Sequence, residues 1–385
     1  MKDTFSARRL LFPLTPLYRL ALAFRGFRLY SGLEPVRRLH FPVVSIGNLS
    51  MGGSGKTPLT IALAKALVQR GLRVDVLSRG YGRQSKLAAR VNPSGTAEDF
   101  GDEPLLIARE AEVPVYVAPQ RYNAGLLAEA DALSDGIDPG APPAPSAPSS
   151  PGAPPMPDAP LSPGAPSLRA LCARVGDLKS QQPFVQEDSR PPIVHLLDDG
   201  FQHRQLARDV DILLLSAQDL ADTLLPAGNL REPLRAARRA SAIAIPADDP
   251  NLEDHLRNLG WQGPVLRLRR TMKILTVTGP IAAFCGIACP EQFFAGLEAA
   301  GVKLVLRQAF PDHHCYTALD LNRLVTAARD AGATAFVTTE KDFVRLGALA
   351  STFPESIPLS AVGLRIEIEN EAATIDWLVD QLKPA

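Results

Sequence analysis

An α/β fold with a mainly parallel sheet is what the order of patterns along this chain predicts. Apolar, strand-like runs alternate with helical periodicities through most of the sequence. The first such run feeds a glycine-rich loop that opens at once into a helical pattern, and a later run ends in two aspartates. At 385 residues the chain is long enough for two cores, and a second, smaller α/β unit is predicted to begin at about residue 264.

The elements follow in order. Residues 41–47 form a strand, and the helix over 57–70 is closed by Gly71. A strand over 72–78 runs into the turn Arg79-Gly80-Tyr81-Gly82-Arg83. A helix over 103–111, a strand over 113–118 and a helix over 121–133 come next. The pattern then stops, for residues 139–167 hold twelve prolines among Ala, Ser and Gly. Such a composition buries too little apolar surface to offset its ordering entropy, which predicts a flexible, partly polyproline II insertion spanning about 135–190. A short helix at 168–174 is placed inside it. A tolerated surface loop is the plain reading, and a PxxP ligand is the alternative. Strands follow at 193–199, 210–215 and 242–246. The second unit is assigned strands at 274–278, 302–308 and 334–339, with helices at 290–300 and 318–331.

Hydrophobic residues make up 46% and charged residues 21%, ordinary for a globular protein, and a formal net charge of zero gives no pull toward nucleic acid. Residues 1–40 differ, with eight Lys and Arg against Asp3 and Glu34. The stretch Leu10 to Tyr30 is interrupted by arginines and too charged to span a bilayer. Its aromatics, leucines and Arg19, Arg25 and Arg28 suit a helix lying in a membrane interface, with Arg8 and Arg9 placed to meet lipid phosphates. Packing on the protein's own core is the alternative. The four cysteines form no disulfide framework and suit a reducing compartment. Zinc on Cys285, Cys289, His313, His314 and Cys315 is disfavoured by the loose spacing.

The chemistry begins at the glycine-rich loop: Ser50, Met51, Gly52, Gly53, Ser54, Gly55, Lys56 and Thr57. Strand, glycines, Lys-Thr and helix in that order are what a phosphate-binding P-loop needs. Backbone N–H groups cradle the phosphate oxygens, the lysine adds a cation and the threonine hydroxyl can hold Mg2+. The general pattern has glycine where Ser50 stands. Asp198 and Asp199, at the end of a buried strand, read as the Mg2+-holding acids opposite Thr57. Asp102 opens Gly-Asp-Glu-Pro as either a helix cap or a general base for an attacking hydroxyl. Arg231, in Leu-Arg-Glu-Pro-Leu, is placed to clamp a phosphoryl group, with Glu232 assisting the metal; a surface ion pair is the other reading. His313 is either structural or the partner of Asp102. Thr338 to Asp342 is a further polar run at a strand end.

Taken together, GNLSMGGSGKTP, LSRGYGR, GDEP, LLDDGFQH, LREPL, AFCGIACPEQFF, FPDHH and TTEKD resemble the tetraacyldisaccharide 4'-kinase family of lipid A biosynthesis, the LpxK family. The resemblance runs from about residue 10 to the C-terminus, the Pro-rich segment excepted. A small hydroxyl residue at the Ser50 position is usual in that family. The resemblance implies two α/β/α domains joined by a two-stranded linker, the first P-loop NTPase-like, with the site in the cleft between them. That divides the chain into a membrane-associated N-terminal helix over 1–38, a kinase domain over 39–262 and a closing domain over 263–385. It also implies transfer of the ATP γ-phosphate to the 4'-hydroxyl of tetraacyldisaccharide 1-phosphate. The enzyme would be a monomer on the cytoplasmic face of the inner membrane of a Gram-negative bacterium, with ATP and Mg2+ as cofactors. Carried over by motif, Asp102 is the base, His313 its partner, and Lys56 the P-loop lysine. Thr57, Asp198 and Asp199, with Glu103 and Glu232, form the metal site, and Arg231 and Arg121 clamp phosphate. A membrane-associated regulatory NTPase is the competing reading. It needs no base for an organic hydroxyl.

Overall fold

The computed structural model describes residues 10–52, 55–134, 191–273 and 279–383. The expected insertion with its 168–174 helix, the strand at 274–278, Arg8, Arg9, Gly53 and Ser54 lie outside the described residues.

Among the described residues twelve strands form one sheet: β1 Val43–Asn48, β2 Arg73–Ser78, β3 Ala89–Arg90, β4 Val115–Val117, β5 Ile193–Asp198, β6 Val210–Leu214, β7 Ala242–Pro246, β8 Val265–Lys273, β9 Ile281–Cys285, β10 Leu304–Ala309, β11 Ala335–Thr339 and β12 Leu359–Ile368. Their order is β10-β9-β11-β12-β8-β7-β6-β1-β5-β2-β4-β3. Pairing is parallel except between β3 and β4 and between β8 and β12. The antiparallel seam, Leu268 opposite Ile368 through Lys273 opposite Gly363, joins two parallel sets. The strands expected at 41–47, 72–78, 113–118, 193–199, 210–215, 242–246, 302–308 and 334–339 are present, shifted by a residue or two at their ends.

β1 is buried at every position and flanked by β5 and β6, the arrangement that gives a parallel strand its continuous apolar run. The helix Lys56–Gln69 begins at Gly55, whose φ of 91° is left-handed. It buries Leu59, Ile61, Leu63 and Leu67 on several sides. One flank meets the sheet; others meet the helix Asp102–Ala111 and the C-terminal helix Glu371–Gln381, whose Ile375 and Leu378 share the same core.

Gly47 shows how closely β1 is set against the next loop. A Cβ there would fall 2.6 Å from the Phe201 Cβ and 2.8 Å from the Phe201 backbone nitrogen. Gly200 N donates to Ile46 O at 3.0 Å and Gln202 Nε2 to Asn48 O at 2.7 Å, so the two loops are stitched together. Gly47→Ala is therefore expected to destabilise the fold by about 1–3 kcal/mol through overpacking. The check is equilibrium chemical denaturation, and an unchanged midpoint would contradict it.

The N-terminal helix Thr15–Tyr30 has two faces. Tyr18 and Leu22 pack on the core around Leu49, Phe201 and Leu230. Leu17, Leu20, Phe24, Phe27 and Tyr30 are exposed. Among the described residues no helix is long and apolar enough to cross a membrane.

Candidate functional site

The phosphate loop is organised by Asn48, a residue the sequence reading did not single out. Its side-chain amide donates to Ser50 O at 2.8 Å, and its Oδ1 accepts from Lys56 Nζ at 2.8 Å. Lys56 also pairs with Asp199 Oδ1 at 3.1 Å. Thr57, in the first turn, is buried, and Gly52 has a φ of 114° open only to glycine at low cost. Leu-Arg-Glu-Pro-Leu is pinned to the same loop. Arg231 N donates to Leu49 O at 2.6 Å and Met51 N to Asn229 O at 2.8 Å.

Asp198 and Asp199 close β5 in different environments. Asp198 is 2% exposed, and among the described residues its one side-chain hydrogen bond, from Thr60 Oγ1, is a long 3.4 Å. Burial, with Glu103 and Asp199 nearby, pushes its pKa up to about 7. Asp199 turns away in a left-handed conformation, φ 48°. Burial acts to raise its pKa too, but Lys56 and Arg231 outweigh that and hold it at about 2. Arg231 Nη1 reaches Asp199 Oδ2 at 3.1 Å and Gln202 Oε1 at 3.2 Å. Arg121, 8% exposed, donates to Asp199 O at 3.4 Å, and its Nε is buried without a hydrogen-bond partner among the described residues.

Asp102 is not a helix cap. Gly101, at φ 90°, precedes the helix, and Asp102 is its first residue, 4% exposed. Its Oδ2 lies 3.3 Å from His313 Nδ1. The same oxygen accepts from Arg345 Nε at 2.7 Å, while Oδ1 accepts from Glu103 N at 2.9 Å. Burial favours the neutral acid, but the His313 hydrogen bond and the Arg345 and Lys341 cations outweigh it. The carboxyl is held well below the usual carboxylate range. The same hydrogen bond, working against burial, raises the pKa of His313. His313 sits at φ 59°, a strained backbone that persists where surrounding contacts fix it.

Arg345 is the group the sequence reading missed. It is 243 residues from Asp102 in the chain. Its Nη1 donates to Gly286 O at 2.5 Å and to Asp342 Oδ1 at 3.0 Å. Gly286 O also accepts His313 N at 3.1 Å, so one guanidinium fixes both members of the Asp102–His313 pair. The polar run after β11 thus does face the site: Lys341 pairs with Glu103, and Asp342 anchors Arg345.

Glu232 is placed differently from the other acids. It takes Arg239 Nη1 at 2.8 Å and Nη2 at 3.3 Å, and does not join Asp198 and Asp199. Among the described residues no three His, Cys, Asp or Glu side chains converge on one metal position. A cation here would depend on one or two carboxylates and on phosphate oxygens, the way Mg2+ is usually held beside nucleotides. Asp198, buried and short of positive partners, fits that role.

Lys56, Thr57, Glu103, Asp198, Asp199, Arg121, Arg231, Glu232, and His313 all line one cleft of about 2060 Å3. The chain matches the profile of the LpxK family, tetraacyldisaccharide-1-P 4'-kinase, over residues 7–138 and 169–383. It belongs to that family. It is 35% identical over 379 residues to the tetraacyldisaccharide 4'-kinase of Koribacter versatilis, covering 95% of this chain and 97% of that one. It is 35% identical to the enzyme of the same name from Anaeromyxobacter dehalogenans strain 2CP-C, over 86% of this chain and 79% of the relative. A solved structure of LpxK from Aquifex aeolicus in complex with ATP superposes with a TM-score of 0.64 at 29% identity, covering 98% of this chain and all of that one. Within the matched span the family profile leaves out 139–168, so the internal part foreign to the family is narrower than the expected 135–190.

Proposed function

We propose that this chain is an ATP-dependent lipid kinase that phosphorylates the 4'-hydroxyl of tetraacyldisaccharide 1-phosphate, giving lipid IVA. The observation that carries the reading is a P-loop Lys56–Asp199 pair lining the same cleft as His313, with Asp102 buried directly behind that histidine, in a chain of this family. Phosphoryl transfer passes through a loose transition state, so the protein mainly positions groups and neutralises charge. Lys56 and the loop N–H groups hold the ATP phosphates. Arg231 and Arg121 stabilise charge on the transferring group. Asp102 orients the acceptor hydroxyl and takes its proton as the oxygen bonds to the γ-phosphorus and the bond to ADP breaks. His313 holds the Asp102 carboxylate in place. Mg2+, held by Thr57 with Asp198 and Asp199 and with Glu103 near, would neutralise phosphate charge.

The exposed apolar face of the N-terminal helix, with Arg19, Arg25 and Arg28, suits the cytoplasmic surface of the inner membrane. We read the chain as an N-terminal membrane-associated segment over 1–38 that contains this helix, a kinase unit over 39–262 and a closing unit over 263–385, working as a monomer. The test is incubation of the purified chain with ATP, Mg2+ and tetraacyldisaccharide 1-phosphate in detergent micelles, followed by mass spectrometry of the lipid. Formation of the 4'-phosphorylated product is expected. Its absence would overturn the assignment.

A further inference from the structure

Phosphoryl transfer leaves one buried ionisable row unused: Asp75 on β2, His195 on β5 and Glu129 on the helix Arg121–Ser134. All three are buried. His195 Nδ1 lies 3.6 Å from Asp75 Oδ2, and its Nε2 lies 3.8 Å from Glu129 Oε1. Both carboxylate oxygens of Asp75 and both ring nitrogens of His195 are without a hydrogen-bond partner among the described residues. Burial pushes the Asp75 carboxyl up, against the pull of His195 and Arg73. Holding such groups out of water is costly, and a hydrophobic replacement is often no less stable, so the row is not explained by stability. Glu129 is the best held of the three. Its Oε1 accepts from His40 N at 2.5 Å and Phe41 N at 3.1 Å, in the segment that leads into β1. Beside it, Tyr116 Oη donates to Asp131 at 3.1 Å.

The same strand and the same helix meet again in the cleft. Arg121 opens the helix and donates to the Asp199 carbonyl just past the end of β5. From His195 to Asp199 is about 13 Å of strand, and from Glu129 back to Arg121 is about 12 Å of helix. Two elements of matched span are thus joined at both ends. The buried residues between, Ala124, Gly125 and Ala128, are small, and a Cβ on Gly125 would fall 2.2 Å from Leu39 Cδ1. Side chains of that size leave the axial position of the helix to the polar contacts at its ends. We propose that Glu129, backed by His195 and Asp75, is a positioning residue that sets how far Arg121 reaches toward the transferring phosphoryl group. The inference rests on the kinase reading above. It gives the buried row a purpose: a displacement of the helix by a fraction of a turn would carry Arg121 off its mark, and misplacement of about 1 Å can cost up to about 100-fold in rate.

The test is a double-mutant cycle of Glu129→Ala and Arg121→Ala in the full chain, read as kcat and KM for ATP in lipid phosphorylation. Glu129→Ala is expected to lower kcat about tenfold with KM for ATP little changed. Glu129→Gln, which keeps an acceptor for His40 N and Phe41 N, is expected to recover most of that loss. In the Arg121→Ala background, Glu129→Ala is expected to cost nothing further, because the group it positions is gone. An undiminished tenfold loss in that background would overturn the inference, since a merely structural role adds independently of Arg121. Wild-type kcat in Glu129→Ala would overturn it as well. Should Glu129→Ala not fold, His195→Gln takes its place in the same cycle with the same two outcomes. A wild-type chain that phosphorylates no lipid would sink the kinase reading, whereas an additive cycle in an active chain sinks only the placement of Arg121.

Discussion

Asp102→Ala is expected to lower kcat for lipid phosphorylation by about 10^2–10^4-fold, the usual worth of a positioned general base, while ATP binding is retained. The carboxylate stands apart from the phosphate loop. Among the described residues its hydrogen-bond and ion-pair partners are His313, Arg345 and Glu103 N, and none is a P-loop residue. Its low proton affinity makes it a weak base but keeps it ionised across the neutral range. A loose transition state asks little proton removal before the acceptor oxygen has bonded, so orientation of the hydroxyl matters more than basicity. Steady-state kinetics with the lipid acceptor and nucleotide binding measured separately make the check. A regulatory NTPase would be indifferent to the change, so a variant with near-normal lipid phosphorylation would sink the mechanism.

The parts of this molecule legible in its sequence are those written in short contiguous strings. The loop from Ser50 to Thr57 announces itself because strand, glycines, Lys-Thr and helix are consecutive. The pair Asp198-Asp199 does so because two acids end an apolar run. Even there the differing charge states of the two aspartates depend on Lys56, Arg231 and Glu103, brought in from elsewhere. The family resemblance implied a two-stranded linker, but the strands of the β8–β12 seam were not assigned from periodicity, for a physical reason. β8 reads Val-Leu-Arg-Leu-Arg-Arg-Thr-Met-Lys, and its arginines break the apolar run that marks a parallel core strand. β12 alternates, but with Gly363 and three charged or hydroxyl positions, the pattern of a half-exposed strand. β9, Ile-Ala-Ala-Phe-Cys, is a run too short to separate from a helix segment by periodicity. His313 had no local signal beyond its polar cluster. Its place beside Asp102 was one of two readings of that cluster, favoured by the family resemblance, and is a contact between distant segments. Asn48 carried a faint signal, as a polar residue ending a buried strand, and its bond to Lys56 Nζ gives it a purpose.

Arg345 had no signal of that kind, and it carries the second large expected effect. Its guanidinium, like Asp102 and Asp342, is buried, and it bonds Asp102, Asp342 and Gly286 O at once. Arg345→Met fills similar space but leaves two buried carboxylates without their cation. Removing one partner of a buried ion pair costs about 3–5 kcal/mol, so this variant is expected to lose that much stability. Arg345→Lys separates positioning from folding. A lysine keeps the charge but lacks the planar fork, so it can serve Asp102 or the Gly286–Asp342 pair but not both. The expected result is a fold close to wild type by denaturation, with kcat reduced and KM for ATP unchanged, because the phosphate loop is untouched. Arg345 acts as a positioning residue in this account, through Asp102 and the Gly286 carbonyl that also receives His313 N. A lysine variant with wild-type kcat would show that charge alone suffices and that the fork geometry plays no part in holding the base.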